Sequence, residues 1–204
     1  MFLEINPDNP DPRKIKQAAE LMAKGGVIIY PTDTVYGIGC DITNAKAVER
    51  VCQIRKLDPV KAMLSFICKD IAQIQEYAAQ LDNQVFRVMK RNLPGPFTFI
   101  LKANNDVPKL FKNRKKTIGV RIPSNKIILA LVEALGRPIL TTSLKSDDEI
   151  LEYFTDAYDI YQDYENQVDL VIDGGIGGNT PSSLVDCSED TIVVLREGPA
   201  ALVF

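Results

Sequence analysis

The sequence predicts an α/β fold, a twisted sheet mixing parallel and antiparallel strands with helices packed on it. Three observations carry this. Short runs of branched apolar residues mark strands, amphipathic stretches with recognisable caps mark helices, and the two kinds interleave without a strict strand–helix–strand rhythm. The 204 residues carry 24 basic and 27 acidic side chains and are 46% hydrophobic, which suits one globular domain over residues 1–204.

The elements follow in order. Asp11 caps a first helix and Pro12 sits at its first position. Ile15, Ala18, Ala19 and Met22 share one face, and Gly25-Gly26 ends the helix. Val27 to Tyr30 is a buried strand. Pro31 to Gly37 leaves it as a loop, because proline lacks an N–H and Thr and Asp side chains bond nearby backbone. Asn44 caps a second helix with Val48, Val51 and Arg55 on one face, and Met63 to Ile67 is a strand. Asp70 and Asp82 cap two short helices. Leu93-Pro94-Gly95-Pro96 forces a turn into a strand over Phe97 to Leu101. Thr117 to Ile122 is a strand, Ser124 caps a helix ending near Gly136, and Ile139 to Thr142 is a strand. Three more strands fall at Val168 to Ile172, Leu184 to Cys187 and Ile192 to Leu195. Ser146 to Gln167 holds eight acidic residues, with Tyr158, Tyr161 and Tyr164 at three-residue spacing, and reads as a mobile loop followed by a helix.

Composition excludes several chemistries. The chain has no histidine, which removes a Ser-His-Asp triad, a Cys-His dyad, a His-ligated zinc hydrolase and any imidazole proton transfer. Cys40, Cys52, Cys68 and Cys187 form no CxxC pair and sit in or beside apolar stretches, as reduced core thiols do. The longest apolar run, Ile127 to Val132, is far short of the ~20 residues that span a bilayer. The first residues offer no basic segment before an apolar one, so a cytoplasmic location is expected.

Charge is uneven. Residues 1–126 carry 21 basic and 12 acidic side chains, whereas residues 127–204 carry 3 and 15. Lys109 to Lys116 holds five basic residues in eight, and no Lys or Arg lies between Lys145 and Arg196. Such a run is either a solvated face or a surface for phosphate-rich ligands. On the second reading Lys112, Arg114, Lys115 and Lys116 meet RNA phosphates. Few aromatic residues stand near them, which favours backbone recognition of folded or double-stranded RNA over base stacking.

Two stretches invite a ligand. Asp173-Gly174-Gly175-Ile176-Gly177-Gly178 is glycine-rich after a strand, but it leads through Pro181 into another strand and not into a helix. It lacks the order of a Walker or dinucleotide loop and is either a tight connection or a ligand contact. In Tyr30-Pro31-Thr32-Asp33-Thr34-Val35-Tyr36-Gly37-Ile38-Gly39, hydroxyls and a carboxylate crowd a loop that ends in glycines.

This second stretch resembles the opening loop of the YrdC-like family, the threonylcarbamoyl-AMP synthases and their relatives. Four further segments agree in order and spacing: Leu93-Pro94-Gly95-Pro96-Phe97-Thr98, Gly119-Val120-Arg121-Ile122-Pro123-Ser124, Thr141-Thr142-Ser143, and Pro181-Ser182-Ser183 continuing to Leu195-Arg196-Glu197-Gly198. The resemblance implies an open α/β fold around a concave basic cavity with affinity for nucleotide and for structured RNA such as tRNA. The synthases condense L-threonine, bicarbonate and ATP to threonylcarbamoyl adenylate and pyrophosphate, the first step toward a mark on adenosine beside tRNA anticodons. By position, Thr32, Thr34 and Tyr36 would line the amino-acid pocket, and Arg121 would pair with the threonine carboxylate as a bidentate fork. Arg55, Lys56, Lys61, Ser143, Lys145, Ser182 and Arg196 would hold nucleotide and phosphate. ATP is then the expected substrate, with Mg2+ entering only on the nucleotide. With no histidine, an enzyme of this kind would work by positioning and electrostatics. Asp33 is expected to orient Thr32 or Thr34 through hydrogen bonds.

The sequence departs from the synthases at the triphosphate grip. There the helix after the opening loop ends in Lys-x-Arg and the later strand in Ser-x-Asn; here the segments read Arg55-Lys56-Leu57 and Ser143-Leu144-Lys145. Leu57 donates nothing, and Lys145 restores a cation on the opposite wall. The pattern resembles the YciO branch of the family. It implies a pocket that still binds nucleotide or RNA phosphate, with the synthase reaction weak or absent; an active synthase with a reshuffled site is the alternative.

Overall fold

The computed structural model describes residues 1–58, 64–108, 116–145 and 153–204. Ten strands among these residues join one mixed sheet: β1 (Phe2–Glu4), β2 (Ile28–Tyr30), β3 (Gly37–Asp41), β4 (Ser65–Ile67), β5 (Phe97–Lys102), β6 (Thr117–Arg121), β7 (Ile139–Ser143), β8 (Leu170–Asp173), β9 (Ser183–Asp186) and β10 (Val193–Arg196). Their spatial order is β1-β8-β2-β3-β7-β4-β6-β5-β9-β10, so the sheet is open, with β1 and β10 at its edges. Pairing is parallel for β1/β8, β2/β8, β4/β6 and β5/β9 and antiparallel for the rest. The expected mixed, twisted α/β architecture is met.

Helices cover both faces because neighbouring residues of a strand point to opposite sides. On one face α1 (Pro12–Ala23) and α5 (Lys126–Leu135) place Ile15, Ala18, Met22, Ile128, Leu131 and Leu135 against Ile28, Tyr30, Ile67, Ile139, Leu170 and Ile172. On the other, α2 (Ala45–Ile54), α4 (Asn83–Asn92) and α6 (Ala157–Tyr164) pack Val48, Val51, Val88, Met89 and Ile160 against Ile29, Ile38, Phe66, Phe99 and Val171. The short α3 (Ile71–Gln75) joins this second layer through Ile74. The four cysteines are buried and unbridged. Burial pushes the Cys187 thiol up to about 12 and those of Cys40, Cys52 and Cys68 upward as well, so they stay protonated.

The caps at Asp11, Asn44, Asp70 and Asp82 each accept backbone N–H groups of their own helices, as the sequence indicates. One cap differs. Asn125, not Ser124, caps α5 through Ile127 N and Ile128 N, and the Ser124 N–H donates to Asp33. Two strands were not legible. β1 has three residues and, among the described residues, pairs only with β8, its Phe2 opposite Val171. β3 begins Gly-Ile-Gly, a weak strand signal. Of Ser146 to Gln167, the described part holds α6 behind its Asp156 cap, and residues 146–152 lie outside the described residues.

Candidate functional site

The loop between β2 and β3 is stitched by its own hydroxyls. Thr32 Oγ1 donates to the Val35 carbonyl at 2.7 Å and accepts the Thr34 N–H at 3.0 Å, and the two threonine hydroxyls lie 3.1 Å apart. β6 delivers Arg121 beneath this loop, 6% exposed. Its Nη2 donates to Asp33 Oδ1 and, at 2.7 Å, to Thr34 Oγ1, while Asp33 Oδ2 accepts the Ser124 N–H at 2.8 Å. Burial pulls the guanidinium below its ordinary value and Asp33 opposes that shift. The Nε of Arg121 is buried and has no hydrogen-bond partner among the described residues.

One expectation is corrected here. Asp33 does not orient the threonines directly; it holds Arg121, which in turn reaches Thr34.

A cavity of about 280 Å3 opens beside this pair, over β3, β4, β5, β6, β7 and β9. Arg55, Arg121, Lys145 and Arg196 line it, and no acidic side chain does so among the described residues. Thr32, Tyr36, Ser143 and Ser182 also face it. Arg55 donates from Nη1 to the Lys145 carbonyl at 3.2 Å, and its Nε is buried without a partner among the described residues. Lys145 Nζ sits 5.6 Å from the centroid of the Tyr153 ring, within cation–π range. Arg196, exposed at the rim, donates from Nε and Nη2 to the Ser182 carbonyl at 3.1 and 2.8 Å, and the Ser182 hydroxyl lies 2.8 Å from that of Thr98. Leu57 lines the wall and offers no donor. Lys56, at φ 52° beyond the end of α2, is exposed and does not line the cavity. Lys61, Lys112, Arg114 and Lys115 lie outside the described residues; Lys116 is exposed just before β6.

The glycine-rich segment after β8 is a connection that braces the opening loop. Gly178 donates to the Thr34 carbonyl at 2.7 Å and Gly177 to that of Thr155 at 2.8 Å. A Cβ on Gly178 would sit 2.5 Å from the Thr34 oxygen, and one on Gly177 would sit 2.7 Å from the Tyr36 ring. Tyr36 donates to the Gly175 carbonyl at 2.7 Å, and burial pushes its phenol up to about 12.

Several lining residues carry no assignment from sequence. Thr98 and Thr141 stand inside motifs already singled out, whereas Ser65 and Tyr153 are signalled by no local pattern. Thr141 is backed by Tyr30, fully buried, whose hydroxyl donates to Thr141 Oγ1 at 2.8 Å. That leaves the Thr141 proton available to the cavity. Tyr30→Phe should cost about 1 to 2 kcal/mol in a chemical unfolding series, and Thr141→Val on top of it should add little, since both remove one shared bond.

Among the described residues no helix is long and apolar enough to cross a membrane, and no group of three or more Cys, Asp or Glu is placed to hold a metal ion. Comparison with known proteins agrees with this geometry. The Sua5_yciO_yrdC family model, described as "Telomere recombination", matches residues 20–198. The uncharacterized protein YciO of Escherichia coli (strain K12) is 47% identical over 199 residues, 97% of this chain and 95% of that one. The crystal structure of E. coli YciO superposes with a TM-score of 0.92, covering 98% of this chain and 97% of that chain at 44% identity. A threonylcarbamoyl-AMP synthase of Pyrococcus abyssi (strain GE5 / Orsay) is 30% identical over 188 residues, 91% of this chain but 54% of that protein. The structure of P. abyssi Sua5 complexed with L-threonine gives a TM-score of 0.88 at 27% identity, over 97% of this chain and 57% of that one. A family match over residues 20–198, on a fold that gathers the opening loop, Arg121, Ser143, Ser182 and Arg196 around one cavity, makes this chain a member of the Sua5/YciO/YrdC family, related to the threonylcarbamoyl-AMP synthases.

Proposed function

We propose that the cavity binds the phosphates of a nucleotide, and that folded or double-stranded RNA such as tRNA crosses its rim, in chemistry related to threonylcarbamoyl modification of tRNA. The observation that carries this reading is the lining: four cations and no acidic side chain among the described residues, with a buried Nε on both Arg55 and Arg121 lacking a partner. Desolvated guanidinium donors without protein acceptors favour an anionic or oxygen-rich ligand. Arg196, Ser143 and Ser182 are assigned to nucleotide and phosphate, Thr32, Thr34 and Tyr36 to an amino acid such as L-threonine, and Lys116 with the basic run before it to RNA. Mg2+ would arrive on the phosphates, since the lining offers cations and hydroxyls and no carboxylate.

The adenylate-forming step is weakened in this reading. Leu57 puts a hydrocarbon on the wall, and one missing donor at developing phosphate charge costs about 3 kcal/mol, roughly a hundredfold in rate. The second reading, an active synthase, is favoured by the 30% identity to a threonylcarbamoyl-AMP synthase. Mass spectrometry of protein incubated with ATP, Mg2+, L-threonine and bicarbonate separates the two. A Leu57→Arg, Lys145→Asn double variant should make threonylcarbamoyl adenylate well above the wild-type level, while wild type retains ATP binding and an RNA affinity that falls steeply with salt. Robust product from wild type establishes the second reading. Absence of ATP binding in wild type overturns the first.

A further inference from the structure

β10 is a thinly anchored strand to carry a cavity residue. All four of its residues are exposed, among the described residues it pairs with β9 alone, and its register shifts between Val194 and Arg196. Yet Arg196 lines the cavity. The chain that follows it is pinned twice. Gly198 donates its N–H to Ser183 Oγ at 2.9 Å, and that hydroxyl donates to the Ala200 carbonyl at 3.2 Å. The fit is close, since a Cβ on Gly198 would come within 2.4 Å of the Ser183 nitrogen. Ala200 and Leu202 then pack against the core. Asn92, 6% exposed at the end of α4, closes the far end: its Nδ2 donates to the Val203 carbonyl at 2.7 Å and its Oδ1 accepts the Val203 N–H at 3.0 Å. The side-chain amide offers Val203 a donor and an acceptor, as a neighbouring strand would, and a further bond from Nδ2 to the Val88 carbonyl at 2.6 Å fixes its orientation.

We propose that residues 197–203 form a strap that positions Arg196 for its anionic ligand, with Ser183 as the near pin and Asn92 as the far clasp. Neither Ser183 nor Asn92 lines the cavity. Both are positioning residues, acting through the backbone that leads away from Arg196. An exposed edge strand with few buried contacts opens locally at low cost, and an arginine on a loosened strand loses more freedom when it meets a phosphate. The strap removes that freedom before the ligand arrives. Affinity at the rim is thereby tied to a contact on α4. The inference rests on the nucleotide reading for its ligand, whereas the anchoring of β10 is a property of the fold and is measured separately.

The test removes the clasp and leaves the cavity lining as it is. Asn92→Ala should bind ATP with Mg2+ about fivefold more weakly than wild type by calorimetry. In an Arg196→Ala background the same change should have no further effect, because the strap works through that arginine. An equal loss in both backgrounds would mean a general weakening of the fold and overturns the proposal. Hydrogen exchange reads the strap without a ligand. In Asn92→Ala, residues 193–196 should exchange about tenfold faster while β6 and β8 keep their wild-type protection. Unchanged exchange across β10 in the folded variant overturns the proposal as well. Ser183→Ala, which frees the near pin alone, serves both measurements where Asn92→Ala does not fold. If wild type does not bind ATP, the nucleotide reading fails and the exchange result alone decides for or against the strap.

Discussion

Arg121→Met should destabilise the protein by about 3 to 5 kcal/mol, the cost of stranding one member of a buried ion pair. The change keeps side-chain length and apolar volume, so the loss reports charge and hydrogen bonding. Asp33 would keep the Ser124 N–H and lose its cation, and Thr34 would lose its donor. In a chain of this size each kcal/mol moves the melting temperature by about 2 to 4 °C, so a drop of roughly 6 to 20 °C is expected. Pairing Arg121→Met with Asp33→Leu should recover much of it, because a well-packed apolar pair can replace a buried ion pair at little cost. Guanidinium unfolding of the two single variants and the double closes the cycle, and additivity would show that the two residues do not act as a pair.

Gly39→Ala should be comparably damaging, for a packing reason. Gly39 faces Thr141 in the antiparallel β3/β7 register, and a Cβ there would collide with the Leu140 carbonyl and come within 2.5 Å of the Tyr30 hydroxyl. Overpacking costs about 1 to 3 kcal/mol where side chains can yield; a backbone oxygen held in a central strand pair cannot, so the upper end or beyond is expected. Tyr30→Phe in the same chain relieves only the contact with the hydroxyl and should not rescue stability. Full rescue would mean that the tyrosine, and not the strand spacing, requires the glycine.

Much of this molecule is readable along the chain. The helix starts at Asp11, Asn44, Asp70 and Asp82 and the turn through Pro94-Gly95-Pro96 are local matters, decided by side chains bonding their own backbone. The branched runs that become β2, β5, β7 and β8 are equally plain. The cavity is half readable. Its threonine loop, Arg121, Ser182 and Arg196 stand in motifs, whereas Ser65 and Tyr153 do not. Tyr30 belongs to the site only because β3, between β2 and β7, carries glycines that let its hydroxyl reach Thr141.

By itself, then, the sequence determined the α/β class, the family, the absence of imidazole chemistry and the replacement of the phosphate grip at Leu57 and Lys145, because these depend on residue identity and near-neighbour spacing. Only the tertiary structure decided the partners. That Asp33 holds Arg121 across 88 positions, that Asn125 caps α5 in place of Ser124, and that Lys56 turns away while Arg55 stays at the wall follow from which strands lie side by side. A guanidinium has five donors and takes whichever acceptors the packed fold brings within reach, and no local rule of sequence states which those are.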